Sequence, residues 1–320
     1  MAAGVQYVVV VEMLSSPFST NYVLLKHHTT HIRHHHLRCA KREEREYHLS
    51  VVYGGHMCGL VLGGQVCESH VVVYGQTCGD LMCLTFASKK GYLETAKFLV
   101  GKGADVHAEE DEALRRASMN GHLGVVQYLI MKGAGNKERA LMYTSMNGHL
   151  EVVKLLVGEG ADVHANDDEA LKRASWGGYL GVLNFLILNG ADVHANDDEA
   201  LRRASMNGHL DVVKLLIMEG ANVHANHDDA LRQASAYGLL EIVKLLILSG
   251  ADVHASNDHA LRRASENGHL DVVKFLISIG ADVKASEALR WANKAMRWAP
   301  DKDRQADVVE FLVGLSRDIG

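Results

Sequence analysis

From about residue 80 onward, apolar and polar positions follow two alternating patterns, each with the period of a helix. In the stretch Ala200 to Asn207, Leu201, Ala204 and Ser205 stand at i, i+3 and i+4 and make one narrow stripe of small and aliphatic side chains. That stripe predicts a short helix that a neighbour can approach closely. The stretch Leu210 to Met218 is apolar nearly all round, with Asp211, Lys214 and Met218 gathered on one side at i, i+3 and i+7. It predicts a second helix, buried except along that strip. Asn207 and Gly208 separate the two, the glycine supplying the positive φ that ends a helix, and Gly220 closes the second. The run Asn196, Asp197, Asp198, Glu199 predicts N-cap oxygens and acidic charge at the positive end of the first helix.

This two-helix unit recurs. The string GHLDVVKLLIMEGANVHANHDDALRQAS begins at Gly208, and close relatives begin at Gly91, Gly121, Gly148, Gly178, Gly238 and Gly268. The period is thirty residues, except that the Gly121 unit is three shorter and the last unit carries an insertion. One hairpin cannot bury both of its helices, whereas stacked copies can. Eight pairs are predicted, with first helices opening near Cys83, Ala113, Ala140, Ala170, Ala200, Ala230, Ala260 and Ala288. The last has an extended first helix stopped by Pro300, which suits a C-terminal cap. The expected fold class is therefore all-α, a helix-pair solenoid of about eight stacked repeats over 80–320. An irregular, poorly ordered N-terminal extension is expected over 1–79.

Asn207 to Ala225 reads N-G-H-L-D-V-V-K-L-L-I-x-x-G-A-x-V-H-A and resembles the ankyrin repeat, over roughly three-quarters of the chain. The family's Thr-Pro-Leu-His signature is replaced by Glu199, Ala200, Leu201 and Arg202, and the connection before it is about three residues shorter than in a 33-residue unit. A reduced turn is expected where ordinary ankyrin proteins project a β-hairpin. The shortened pattern is similar to the expanded ankyrin families of giant DNA viruses of amoebae. The resemblance implies a protein-binding scaffold without catalysis or cofactor, engaging a partner protein through the concave groove that the first helices line.

The outer face of those helices carries the residues expected to make that contact: Arg116, Met119, Arg173, Trp176, Arg203, Met206, Gln233, Arg263, Glu266 and Trp291, with Thr144 and Met146 placed on it in the shortened unit. Arg, Met and Trp are the residue types from which binding hot spots are built. An alternative for the Arg column is a solvated face whose arginines pair with acids of the same helix, Asp198 with Arg202 and Glu199 with Arg203. The repeated histidines fall in two columns, His107, His164, His194, His224 and His254, and His122, His149, His209 and His269. Equivalent positions in stacked helices lie on the order of 10 Å apart, too far to share a metal, so hydrogen-bond ladders between repeats are expected.

Composition narrows the classes. A net charge of −6 argues against a nucleic-acid partner. No apolar run reaches the ~18–20 residues of a membrane span, and the apolar Val5 to Leu14 contains Glu12 and lacks a basic flank, which makes it a poor signal peptide. All five cysteines (Cys39, Cys58, Cys67, Cys78 and Cys83) fall within one quarter of the chain, with no disulfide or zinc spacing, so a reducing cytoplasmic setting is expected. Repeated acids of one kind give no pair of unlike groups for acid–base work, so no enzyme is expected, and the chain is expected to be monomeric. A second function class rests on the histidine-rich stretch, where His31, His34, His35 and His36 are metal-ligand candidates, with the repeats as a platform.

Overall fold

The computed structural model describes residues 80–284, 287–298 and 301–318, with side chains from residue 84 to residue 315 of these, and the backbone of five strands before residue 73. Those strands are β1 (Val10–Met13), β2 (Val23–Leu25), β3 (Glu46–Tyr53), β4 (His56–Gly63) and β5 (His70–Val72). All pairings are antiparallel, β3 with β4 and β1 between β2 and β5. From residue 80 the described chain is helical. The first helices are α1 (Asp80–Lys90), α3 (Ala108–Met119), α5 (Lys137–Asn147), α7 (Ala165–Gly177), α9 (Ala195–Asn207), α11 (Ala225–Ala236), α13 (Ala255–Glu266) and α15 (Ala288–Ala295). Their second helices are α2 (Leu93–Gly101), α4 (Leu123–Met131), α6 (Leu150–Gly158), α8 (Leu180–Leu188), α10 (Leu210–Met218), α12 (Leu240–Leu248), α14 (Leu270–Ser278) and α16 (Lys302–Asp318). The all-α repeat architecture expected from the periodicity is thus present, and no strand occurs among the described residues after 80.

The chain forms two compact units, 1–113 and 114–320. In the first, α1 packs on α2, burying Leu84, Ala87, Ala96 and Leu99. In the second, the first helices α5, α7, α9, α11, α13 and α15 stack in sequence, and α4, α6, α8, α10, α12, α14 and α16 stack behind them. Each unit contributes the same core: in α9 and α10 these are Ala200, Leu201, Ala204, Val212, Val213 and Leu216, all at most 1% exposed. Asp211, Lys214 and Met218 stand on the solvent side as the pattern predicts. Each buried leucine contributes about 1.5–3 kcal/mol of apolar transfer.

The acidic run ahead of each first helix departs from its expected role as a helix cap. Asn196, Asp197 and Asp198 all adopt left-handed backbone, with φ of 53°, 54° and 56°. The same triplet occurs at 109–111, 166–168, 226–228 and 256–258. Left-handed geometry costs roughly 1–2 kcal/mol per L-residue, least for Asn and Asp, which suits most of these positions, although Glu109, Glu110, His227 and Ser256 also adopt it. No side-chain cap bond forms at α7, α9, α11 or α13. The turn instead carries its third residue inward. Asp198 is 5% exposed, and its Oδ1 accepts the backbone N–H of Asn222 in the next unit at 2.8 Å. Asp168, Asp228 and Asp258 accept from Asp192, Asp252 and Asp282 in the same way, at 2.8–2.9 Å. The shortened unit lacks this turn: no non-glycine residue ahead of α5 is left-handed, and Glu138 reaches the N–H of Asp162 at 3.5 Å from ordinary helix.

The two histidine columns do different work. His164, His194, His224 and His254 place Nδ1 3.0–3.2 Å from the inward Asp of their own unit, so they hold the bridging carboxylate rather than bridge units themselves. His149, His209 and His269 do cross between units: their Nε2 atoms lie 2.9–3.1 Å from the carbonyl oxygens of Met119, Trp176 and Ala236. Burial lowers the pKa of His269, which is part of this second set. These rings lie flat against the preceding unit. A Cβ added to Gly178 would come within 2.3 Å of the His209 ring, and Gly178 itself has φ of +75°, so glycine is required there on two counts.

Candidate binding face

The residues expected on the outer face of the first helices form one column set. Arg173, Arg203, Gln233, Arg263 and Trp291 occupy one position of successive units, and Trp176, Met206 and Glu266 the position one helical turn later. Trp176 is exposed at 42%, while Arg116, Met119, Arg173, Arg203, Met206, Gln233, Arg263, Glu266 and Trp291 are half-buried. In the shortened unit the register needs correction. Thr144 is fully buried, and the outward pair is Tyr143 with Met146. The guanidinium of Arg115 lies 4.9 Å from the Tyr143 ring centre, and Arg173 Nη1 lies 3.4 Å from Met146 Sδ.

The arginines are tied together by acids that the sequence reading paired only within one helix. Glu169 binds Arg173 of its own helix and Arg203 of the next, the latter at 3.3 Å. Burial pushes the Glu169 carboxyl up, but the hydrogen bond from Arg173 and the charge of Arg203 outweigh it and hold the group below the usual range. Glu199 binds Arg203 at 3.0 Å. Asp198, expected to pair with Arg202, faces the opposite way into the unit junction.

A second row of cations runs beside the first, and its members Lys172 and Arg202 each bridge two acids. Lys172, its side chain only 3% exposed, lies 3.3 Å from Glu169 and 3.8 Å from Glu199. Arg202 lies 2.7 Å from Glu199 and 3.6 Å from Asp229. Arg232 binds Asp229 at 3.0 Å, but the next acid position holds His259. The ladder breaks here. His259 Nδ1 is 3.4 Å from Arg232, its Nε2 is 2.6 Å from Arg262, and its pKa falls to about 4 through burial and the charges of Arg262, Arg232 and Arg263. Arg262 then rests on the Trp291 ring at 5.4 Å, and Lys294 lies over the same ring at 4.3 Å. Beside this end of the face is an open cleft of 390 Å³, lined by Glu266, Asn267, Lys294, Trp298, Arg304 and Gln305 among others.

Nothing in this arrangement supplies a nucleophile with an adjacent base, and no group of three metal-ligating side chains occurs among the described residues. The histidines His31, His34, His35 and His36 lie outside the described residues. No helix among those described is long and apolar enough to cross a membrane. One feature was only partly signalled by the one-unit pattern, which marks Met218 alone as outward: Leu188, Met218 and Leu248, at 77–86% exposure, end successive second helices as a column. Comparing helix ends across units would have found it.

The stack of helix pairs, with glycine-ended first helices and an exposed charged face, defines a repeat scaffold. The model for ankyrin repeats in three copies matches residues 66–139, 84–167, 114–197, 171–257, 201–287 and 231–319, and the chain belongs to the ankyrin repeat family. Among solved structures, the crystal structure of the human ASB11 ankyrin repeat domain is similar with a TM-score of 0.54 and 23% identity, over 61% of this chain and 96% of that one. No curated protein matches the sequence. Ankyrin repeats generally mediate contacts between proteins, and this family is typically not catalytic.

Proposed function

We propose that this protein is a non-catalytic scaffold whose 80–320 array binds a partner protein through the groove lined by the outer face of its first helices. The observation that carries this reading is Trp176. Among the described residues of that position it is the aromatic one, exposed at 42% one helical turn beyond the column of Arg173 and Arg203, where a repeat needs no large apolar side chain for its own packing. A rigid aromatic in a column set that also carries arginines and methionines offers a partner apolar area at low entropic cost. The resemblance of the recurring thirty-residue pattern to viral ankyrin families makes a host cytoplasmic protein the first class of partner to test, with the chain acting as a monomer.

The test is affinity capture from cytosol with the full-length chain, its Trp176→Asp variant and its Arg203→Glu variant, each checked by circular dichroism. A partner enriched by the parent and lost, tenfold or more, from both variants at unchanged helicity supports the reading. Equal recovery with all three would remove the groove from consideration.

A further inference from the structure

The break in the charge ladder has a definite chemistry. At Lys172 and Arg202 a cation sits between the acid of its own unit and the acid of the next. At Arg232 the second acid is replaced by His259, and Arg232 Nε is left buried without an acceptor. Arg202 Nε, its equivalent one unit earlier, has Asp229 at 3.6 Å. A neutral imidazole has one acceptor nitrogen, because the other carries hydrogen. Both ring nitrogens of His259 face guanidinium groups, so one contact sets a donor against a donor whichever tautomer forms. Arg262 has His259 and the Trp291 ring as its described partners, and no carboxylate among the described residues lies within ion-pair distance of it. Its neighbour Arg263, 41% exposed in the side chain, holds Glu266 alone, at 3.0 Å. This end of the face is therefore short of acceptors and rich in cations, in a chain whose net charge is −6.

We infer that this gap is the recognition point for an acidic segment of the partner protein, with an Asp or Glu carboxylate of that segment bound by Arg262 and Arg263 beside His259. The incoming carboxylate takes the place that the ladder's own acid holds in the earlier units. Fork-shaped guanidinium groups suit a planar carboxylate, and Arg262 is already oriented by the Trp291 ring. Lys294, exposed and 4.3 Å from the centre of the same ring, extends the positive surface toward the cleft. Trp298, 84% exposed at the cleft, offers apolar area to the residues flanking the acid. The inference rests on reading this face as the binding groove and names the chemistry of the partner at one end of it.

The test uses the full-length chain and two labelled peptides, hexaglutamate and hexaglutamine, followed by fluorescence anisotropy. Hexaglutamate is expected to bind, more weakly as salt is raised, and hexaglutamine to bind at least tenfold more weakly. Arg262→Glu should reduce hexaglutamate affinity tenfold or more. His259→Glu should do the same while preserving the fold, because it fills the gap from within and completes the ladder for Arg232 and Arg262. Equal affinity for the two peptides, or hexaglutamate affinity unchanged in His259→Glu, would overturn the inference. Displacement of the peptide by equimolar inorganic phosphate would also overturn it, by reducing the site to a simple anion contact. The outcome is separable from that of the groove itself: capture that is lost in Trp176→Asp but accompanied by unchanged hexaglutamate binding in His259→Glu sinks this inference alone.

Discussion

Two junctions of the same stack solve one problem with different backbone. Between α9 and the next unit, three left-handed residues carry Asp198 inward to the N–H of Asn222. Between α5 and the next unit those three residues are missing, and Glu138 reaches the N–H of Asp162 from ordinary helix, at 3.5 Å instead of 2.8 Å. The position therefore demands an acceptor at a given point in space, and a longer side chain substitutes for a strained turn. The turn supports a short, tight bond held by a histidine; the deletion gives a longer bond without that support.

The largest expected effect comes from removing the acceptor where it is best held. Asp198→Ala strands the Asn222 N–H and the His194 ring and leaves alanine in left-handed backbone, a cost of about 3 kcal/mol in chemical denaturation. Glu138→Ala should cost less than about 1 kcal/mol, and equal losses at both sites would show that bond length and support do not matter. Glycine distinguishes the two backbones next. Lys137→Gly, at the right-handed first residue of α5, also loses the bond from Nζ to the Glu159 carbonyl and should destabilise by about 1 kcal/mol. Asp197→Gly, where φ is 54°, should stay within about 0.5 kcal/mol of the parent, because relief of strain offsets the added freedom of the unfolded chain. The core stripe offers a change of opposite sign: Ser205 is fully buried with its hydroxyl unpartnered, so Ser205→Ala should stabilise by roughly 1 kcal/mol.

The smallest effect concerns the ladder position where His259 stands in place of an acid. The folded state holds His259 to a pKa of about 4 against 6.5 for a free imidazole. Between those values the unfolded chain binds a proton that the folded chain refuses, so this residue makes stability fall as pH is lowered from about 6.5 toward 4. Denaturation midpoints at pH 7 and pH 5 should diverge less in His259→Gln than in the parent, and an imidazole resonance of His259 titrating near 6.5 would contradict the structure.

Much of the stack could be read from the chain because its signals are local. Leu201, Ala204 and Ser205, and the polar strip of Asp211, Lys214 and Met218, mark their helices by spacing alone, and α10 ends where the pattern ends. The left-handed turn could not be read in this way, since Asn, Asp, Asp and Glu before a helix satisfy a cap equally well. Arg202 was misassigned to Asp198 because i, i+4 spacing presumes that the helix already includes residue 198. Thr144 was misplaced for a related reason: the three-residue deletion hides which of its neighbours points outward. The bridges from Glu169 to Arg203 and from Arg202 to Asp229 join residues about thirty apart, and no single-unit pattern contains them. The broken rung at His259 was visible as a letter, but its meaning depended on knowing what the other rungs hold.

The bond from each inward Asp ends on a residue 24 positions later, so one half of the contact is written in one unit and the other half in its successor. An extra copy of thirty residues spliced into the run would bring its own acceptor for the copy after it and its own donor for the copy before it. Lengthening such a molecule needs no invention, only copying, and novelty is free to accumulate at the outward positions that no neighbour inspects.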